Sequence, residues 1–246
     1  MRMLTDIWTV VQKETSEIIN MRDSRRGTFL AILIPSFILG IQFPLQFGEK
    51  WVESPLWLMS WVMVPILLIS TIIADSFAGE RERHTLDTLL STRLSEKAIL
   101  LGKISAAMLY AFTVTLFVVF LGFITVIIAH GMGSILRFSP QRIFTGVVFG
   151  FFSGSIMAHA GILFSLRAST VKQAQQTLGL VMMIIFFSPT IVVMTLSKST
   201  FDNLEMYLAV FNQQILFVAV IAVLAIVDGA LLLWAMARFK RNRMMT

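Results

Sequence analysis

Long apolar runs without charge alternate with short charged segments along this chain. Six such runs stand out, each close to the roughly 20 residues that a helix needs to cross the hydrocarbon core of a bilayer. Backbone groups in lipid must be paired internally, and these runs lack the alternation of barrel strands, so each is expected to be a helix. The pattern predicts an all-α integral membrane protein whose single transmembrane domain covers residues 1–246. Its six transmembrane helices are expected at about 28–46, 55–74, 104–129, 143–166, 177–197 and 215–237.

Residues 3–22 carry too much charge to span the membrane, but their apolar side chains recur at helical spacing. The apolar face holds Leu4, Ile7, Trp8, Val11 and Ile18. Four charged residues are expected to lie off that face: Asp6, Lys13, Glu14 and Glu17. This pattern predicts an N-terminal amphipathic interfacial helix that lies among the lipid headgroups. Packing of the helix on a cytoplasmic partner is the alternative.

The basic residues predict the orientation of the spans. With both termini in the cytoplasm, sixteen of the 20 lysine and arginine residues fall in cytoplasmic segments. Short cytoplasmic loops are enriched in lysine and arginine, so the sequence predicts a multi-pass protein of the cell inner (plasma) membrane with both termini cytoplasmic. The same distribution accounts for the net charge of +6 through attraction to anionic membrane lipid, without nucleic acid as a partner.

Composition and motifs exclude several kinds of chemistry. The chain is 57% hydrophobic and only 14% charged, and it contains three histidines and no cysteine. Disulfides are therefore excluded, and a metal site is not expected. The phosphate-binding pattern G-x-x-x-x-G-K-[ST] is missing, as are H-E-x-x-H and G-x-S-x-G. We expect no enzyme, no catalytic residues and no cofactor in this chain.

Two ionisable residues fall inside predicted spans, where charge is costly. Asp228 lies near the middle of the sixth span and His159 lies in the fourth. Together they form a possible intramembrane polar site for a cation, a proton or a polar substrate. The alternative for Asp228 is a structural hydrogen bond to a neighbouring helix, and for His159 it is ordinary packing.

A ladder of small residues marks the fourth span. Gly146, Gly150 and Gly154 recur every four residues, a spacing that lets another helix approach closely. The pattern predicts helix packing, either within the chain or against a second copy.

The segment 79–103 holds nine charges between two apolar runs. A short cytoplasmic helix is expected over about 80–90, with Leu86, Leu89 and Leu90 on one face. Five charged residues surround that face: Glu80, Arg81, Glu82, Arg83 and Asp87. A small apolar face rimmed by charge favours a protein partner. Packing of the leucines on the chain's own amphipathic helix is the alternative.

The order of these motifs resembles type-2 ABC exporter permeases, the membrane subunits of ATP-binding-cassette exporters, over the whole chain. The resemblance rests on Glu80-Arg81-Glu82, Thr85, Leu89-Leu90 and Gly102-Lys103, and the chain is similar to sodium or drug exporter permeases. It extends to the entry segment with Lys13-Glu14 and to the second inner loop at 170–175. His84 and Arg93 depart from the family pattern, which usually has glycine and often has proline at these positions.

The resemblance implies an exporter with two permease chains and two separate ATPase chains. The partner ATPase would bind ATP and Mg²⁺, and the segment 80–90 would be the coupling helix that contacts it. The substrate path would lie between the two permeases, which could form a homodimer or a heterodimer, and would be lined mainly by the second and fifth spans. A membrane-embedded assembly or regulatory subunit without its own path is the alternative function.

Overall fold

A computed structural model describes residues 2–20, 25–54, 56–131, 133, 139–195 and 213–239 of the protein. These residues form helices and connecting turns, and none of them lies in a β-strand. The α-helices in chain order are α1 (Arg2–Asn20), α2 (Arg25–Phe37), α3 (Phe43–Phe47), α4 (Glu49–Glu53), α5 (Leu56–Glu82), α6 (Leu86–Leu90), α7 (Glu96–His130), α8 (Pro140–Ser165), α9 (Val171–Thr195) and α10 (Gln213–Arg238).

Four of these helices, α5, α7, α8 and α10, are long and apolar enough to cross a membrane. They contain the predicted second, third, fourth and sixth spans. The predicted first span coincides with a shorter apolar stretch, Ile32–Phe47. The predicted fifth span coincides with α9, whose last side chains lie outside the described part of the chain, as does the end of that span. The total of six spans therefore stays a prediction.

The first apolar stretch is helical but irregular, because α2 and α3 are joined by a π-helical turn at Ile38–Gln42. Pro44 has no N–H to donate to the carbonyl of Gly40, four residues before it. Thr125 of α7 donates its hydroxyl to that carbonyl at 3.0 Å. A neighbouring helix thus satisfies the polar group that proline leaves free, as backbone in lipid requires.

Contacts between helix ends show that the long helices alternate in direction. At one end, which we call the ionic end, Lys103 of α7 bonds to Glu14 of α1 and to Glu80 of α5. The last turn of α8 and the first residue of α9 lie there too. At the other end, which we call the aromatic end, Trp51, Trp57 and Trp61 pack together. The loops predicted to be cytoplasmic therefore share the ionic end.

The core is centred on α5, which packs most extensively on α8 and α7. Gly146, Gly150 and Gly154 of α8 all face α5 of the same chain. A Cβ atom added at Gly146 would lie 2.5 Å from the Trp57 ring, and one at Gly154 would lie 3.0 Å from Ile69. Within the described residues, the glycine ladder is therefore an internal packing surface.

Candidate functional site: the ionic end of the bundle

The sequence predicted one helix over 80–90, but the coupling segment does not fold in this way. Helix α5 continues to Glu82, and α6 starts again at Leu86. His84, between them, has φ = 56°, in the left-handed region that favours glycine. The amide of Thr85 donates to Glu80 O at 2.8 Å and the amide of His84 donates to Arg81 O at 3.1 Å. These are the two bonds of a Schellman motif, with His84 where glycine is usual.

A buried ion cluster links three helices beside this turn. Lys103 Nζ of α7 lies 2.8 Å from Glu14 Oε1 of α1 and 2.9 Å from Glu80 Oε1 of α5. Lys103 is only 3% exposed. Its ammonium group also lies 5.4 Å from the centroid of the Phe77 ring, within range of a cation–π contact. Because one cation serves two carboxylates, α1, α5 and α7 are tied together at a single point.

Lys13 adds a second positive charge at the edge of this cluster. Its Nζ lies 3.7 Å from Glu14 Oε1 and 3.9 Å from Glu80 Oε1, and 3.3 Å from Glu17 Oε1. Burial lowers the pKa of Lys13, but the carboxylates of Glu14, Glu17 and Glu80 outweigh that effect and hold its pKa above its ordinary value. Lys13 is therefore charged at neutral pH and partly balances the two buried carboxylates.

The sequence brings α1 and α7 close enough for this cluster through one glycine. A Cβ atom at Gly102 would lie 2.5 Å from Val10 Cβ, so only glycine leaves room for α1 here. Val10, Val11 and Ile18 of α1 are buried. The start of α7 is set by Ser95, whose Oγ accepts a hydrogen bond from the amide of Ala98 at 3.2 Å. Gly102 thus leaves space for α1 to approach α7, and Lys103 forms an ion pair with Glu14 of α1.

The amphipathic helix differs in one respect from the sequence prediction. Glu14 was expected to lie off the apolar face, yet its side chain is only 12% exposed and faces Lys103. The helix lies against α7 of its own chain, not only among lipids or on a separate protein. Leu4 and Trp8 remain 74% and 60% exposed. Their insertion among lipid headgroups stays a prediction.

Four of the charged residues predicted for coupling have internal partners. Glu80 bonds to Lys103, as described. Arg81 Nη2 donates to Leu166 O at 3.0 Å, and Arg81 Nη1 donates to Ala168 O. Glu82 Oε2 accepts from the amide of Val171 at 3.1 Å, and Arg83 Nη2 lies 3.1 Å from Asp75 Oδ1. Thr85 Oγ1 donates to Glu80 O at 3.2 Å.

The predicted leucine face does not point entirely outward. Leu86 is buried in the core of its own chain, and Leu89 is half-buried against the same core. The side chains of Leu90 and Asp87 lie outside the described part of the structure. The expectation that Leu86 offers its side chain to a partner was therefore wrong for this conformation, because the side chain is enclosed by the chain's own helices. The role of the segment in ATPase coupling stays a prediction.

The possible intramembrane site joins α10 to α8. Asp228 Oδ1 lies 2.7 Å from His159 Nδ1, and Asp228 Oδ2 accepts from the hydroxyl of Ser155 at 2.8 Å. Ser155 and His159 lie one turn apart and are both buried. Both carboxylate oxygens of Asp228 are thus used in holding α10 on α8. This arrangement supplies the structural hydrogen bond that was one of the two alternatives; a functional role stays a prediction.

Sequence reasoning did not name four polar residues that pair inside the bundle as site residues: Glu14 and Lys103, which entered only through the family motifs, and Ser155 and Ser165. Two of them had a visible signal. Glu14 shares a helical face with Val11 and Ile18, and Lys103 stands among apolar residues inside a helix. Ser155 and Ser165 had none, because serine is common in membrane helices. Ser165 is fully buried and its Oγ donates to Ala74 O at 3.0 Å while accepting from the amide of Ala78 at 3.1 Å.

Comparison with known proteins supports the identity that these motifs indicate. A family model described as "ABC-2 family transporter protein" matches residues 3–226, nearly the whole chain. The chain belongs to this family. It is a multi-pass membrane permease component of an ABC transporter, and family membership implies association with ABC ATPase subunits. No curated protein matches the chain.

In this ABC-2 permease, the residues that carried the resemblance have definite structural roles. Glu80 and Lys103 are the buried ion pair, and Gly102 admits α1. Thr85 closes the turn after α5. His84 departs from the usual glycine but adopts the backbone conformation that glycine favours. The departure therefore does not prevent the left-handed conformation at this position.

Proposed function

We propose that this ABC-2 permease is the membrane subunit of an ATP-driven exporter. It forms the substrate path with a second permease chain, and separate ATPase subunits drive it. The path lies between the two permeases and is lined mainly by α5 and α9. The chain itself binds no nucleotide, since it lacks the phosphate-binding motif, and ATP with Mg²⁺ is bound by the partner. The ionic end and both termini lie on the cytoplasmic side of the inner membrane.

The ion cluster at the ionic end is the observation that carries this proposal. Glu80, Lys103 and Glu14 tie the end of α5, the start of α7 and the N-terminal helix into one unit. The segment 83–88, which we call the coupling turn, presents exposed polar residues to solvent, among them Arg83, His84 and Thr88. A force applied to this turn by an ATPase would therefore reach three helices at once, as a coupling element requires.

Glutamate substitutions at two exposed residues of the coupling turn test the coupling role. We expect Arg83→Glu combined with Thr88→Glu to abolish co-purification of the permease with its ABC ATPase, because charge pairs set register at an interface. Lys50→Glu is the matched control, an exposed charge at the aromatic end. Membrane insertion should be normal in both variants. If the double variant retains the ATPase and its substrate-stimulated ATP turnover, the turn is not the coupling element.

Orientation can be tested directly because the chain has no cysteine. A cysteine introduced at Lys50 should react with a membrane-impermeant maleimide added to intact cells. A cysteine at Arg93, which is exposed at the ionic end, should react only after the membrane is opened. Labelling of position 93 from outside would contradict a cytoplasmic ionic end.

Native mass measurement of the complex in nanodiscs tests the subunit arrangement. Two permease chains and two ATPase chains per particle are expected. A single permease bound to an ATPase that substrate never stimulates would favour the alternative function, an assembly or regulatory subunit without a path of its own.

A further inference from the structure

Three consecutive charged residues at the end of α5 reach three different neighbours. Glu80 bonds to Lys103 of α7, Arg81 bonds to the turn after α8, and Glu82 bonds to the first residue of α9. The sequence predicts that this triplet is part of a surface for the ATPase. Its contacts instead attach the end of α5 to α7, to the turn after α8 and to the start of α9.

Arg81 is suited to hold the end of α8. The last carbonyls of a helix lack intrahelical donors and form the negative end of its dipole. The Arg81 guanidinium spans the turn by donating to the carbonyls of both Leu166 and Ala168. A planar fork can make both bonds at once, whereas a lysine ammonium is a single point of charge. Ala168 is itself buried in the core, so this turn is attached on two sides.

Glu82 holds the start of α9 in the complementary way. Val171 is the first residue of α9, and its N–H has no partner within the helix. The Glu82 carboxylate accepts that N–H at 3.1 Å and places negative charge at the positive end of the helix dipole. Thr170 Oγ1 accepts from the amide of Gln173 at 3.2 Å. Thr170 and Glu82 therefore cap different amides of the same first turn.

We propose that Arg81 and Glu82 are positioning residues that carry movement of the coupling turn to the 166–171 turn, and through it to α8 and α9. This inference rests on the proposed function, since it requires an ATPase to move the coupling turn. It assigns both residues an internal role and leaves ATPase binding to the exposed residues beyond them. It also makes the 166–171 turn a second route for force, separate from the Lys103 cluster.

Two variants remove the hydrogen bond between the Val171 amide and the Glu82 carboxylate, one at the acceptor and the other at the donor. Glu82→Ala removes the acceptor. Val171→Pro removes the N–H donor and leaves Glu82 free for any partner, and proline is well accepted at the first position of a helix. Glu82→Gln keeps an acceptor oxygen and serves as the conservative rescue. Asp75→Ala is the matched control, because Asp75 pairs with Arg83 and not with another helix.

The measurement is a distance between spin labels on α7 and α9 in the permease–ATPase complex. Labels on cysteines introduced at Lys97 and Gln176, both exposed, would report the distance by pulsed EPR before and after trapping with ATP and vanadate. We expect an ATP-dependent shift in the parent, in Asp75→Ala and in Glu82→Gln. In Glu82→Ala and Val171→Pro, the shifted population should fall by about fivefold or more, the lower range of allosteric couplings. The double variant should be no worse than either single one.

ATPase affinity separates the possible failures. It should stay at the parental value in every variant. Loss of ATPase binding in Glu82→Ala with normal binding in Val171→Pro would make Glu82 a docking residue and overturn the proposal. A parental shift in both variants, or no shift in the parent complex, would also overturn it. Failure of the parent to bind any ABC ATPase would instead defeat the proposed function.

Discussion

The ionic end and the aromatic end of the bundle are held together by different kinds of contact. At the ionic end, Glu14, Glu80 and Lys103 join three helices through charge. At the aromatic end, Trp51 is 1% exposed and its ring lies 5.7 Å from that of Phe123, edge to face. Helices at the ionic end are held together by a few strong polar contacts. Helices at the aromatic end are held together by close packing of large side chains.

The aromatic end leaves little room for movement. A Cβ atom at Gly122 would lie 2.9 Å from the Trp51 ring, and one at Gly150 would lie 2.8 Å from the carbonyl oxygen of Trp61. Pro65 has no N–H to donate to that same carbonyl, which allows α8 to approach α5 there. Close-packed shapes of this kind cannot slide past one another without opening voids.

This difference suggests where the bundle moves. Charge pairs beside a water-exposed turn, such as Arg83 with Asp75, can separate and be hydrated, so we expect the ionic end to have alternative arrangements. The aromatic end has none that keeps its packing. We therefore expect the aromatic end to act as a fixed pivot while ATPase-driven movement takes place at the ionic end.

Loss of Lys103 should have the largest effect of the substitutions considered. Lys103→Met leaves the Glu14 and Glu80 carboxylates buried without their shared cation, which costs about 3–5 kcal/mol of stability. Thermal unfolding in detergent, compared with the exposed control Lys97→Met, would measure it. Adding Glu14→Gln and Glu80→Gln should recover much of the loss, because no unpaired charge then remains. An unchanged melting temperature in Lys103→Met would refute the ionic description of this end.

Gly150→Ala tests the other side of the comparison. The new methyl group would meet the Trp61 backbone, which cannot rotate away, so we expect a loss of about 1–3 kcal/mol. Gly179→Ala is the control, because a Cβ atom there meets nothing within 4 Å and alanine favours a helix. The same unfolding measurement applies. Equal stability of the two variants would mean that the aromatic end is not closely packed.

A smaller effect is expected for Asp228→Asn, at the polar contact between α8 and α10. Asparagine keeps one acceptor oxygen but replaces the other with a donor, so one of the two bonds to Ser155 and His159 should weaken at a cost of about 1 kcal/mol. Substrate-stimulated ATP turnover should be retained at a temperature where the variant is folded. Loss of turnover without loss of stability would instead make the Asp228 charge functional.

The smallest expected effect, and the only stabilising one, is at the coupling turn. His84 adopts φ = 56°, which glycine accepts without the steric cost of a Cβ atom. His84→Gly should raise stability by roughly 0.5 kcal/mol, after subtracting the greater freedom of glycine in the unfolded chain. His84→Val should lower it, because a β-branched residue is strongly disfavoured at positive φ. A melting temperature that moves in the opposite direction for both would contradict the turn geometry.

Sequence patterns were sufficient for the four long apolar helices and insufficient for the contacts between them. Uncharged length predicted α5, α7, α8 and α10 as spans, because the requirement to pair backbone groups in lipid acts on each segment separately. The break at His84 was not predicted, since the leucine spacing around it is compatible with an unbroken helix.

The candidate site shows the same division. Glu80 belongs to the coupling motif recognised in the sequence, but its partner Lys103 lies 23 residues away. Glu14, which shares Lys103 with it, lies 89 residues from Lys103. The charges of Arg81 and Glu82 predicted a binding surface, yet both bind helix ends of their own chain. No local sequence pattern distinguishes a carboxylate that is free to bind another protein from one that is bonded to an amide of its own chain.

The sequence by itself determined that this chain is helical, that it lies in a membrane, and which loops share one side, because hydrophobic length and basic charge act locally. The tertiary structure alone decided which polar groups are paired: Lys103 with Glu14 and Glu80, Glu82 with the start of α9, and Asp228 with Ser155 and His159. The physical reason is that a buried polar group must find a partner wherever packing brings one, and packing depends on all the helices together.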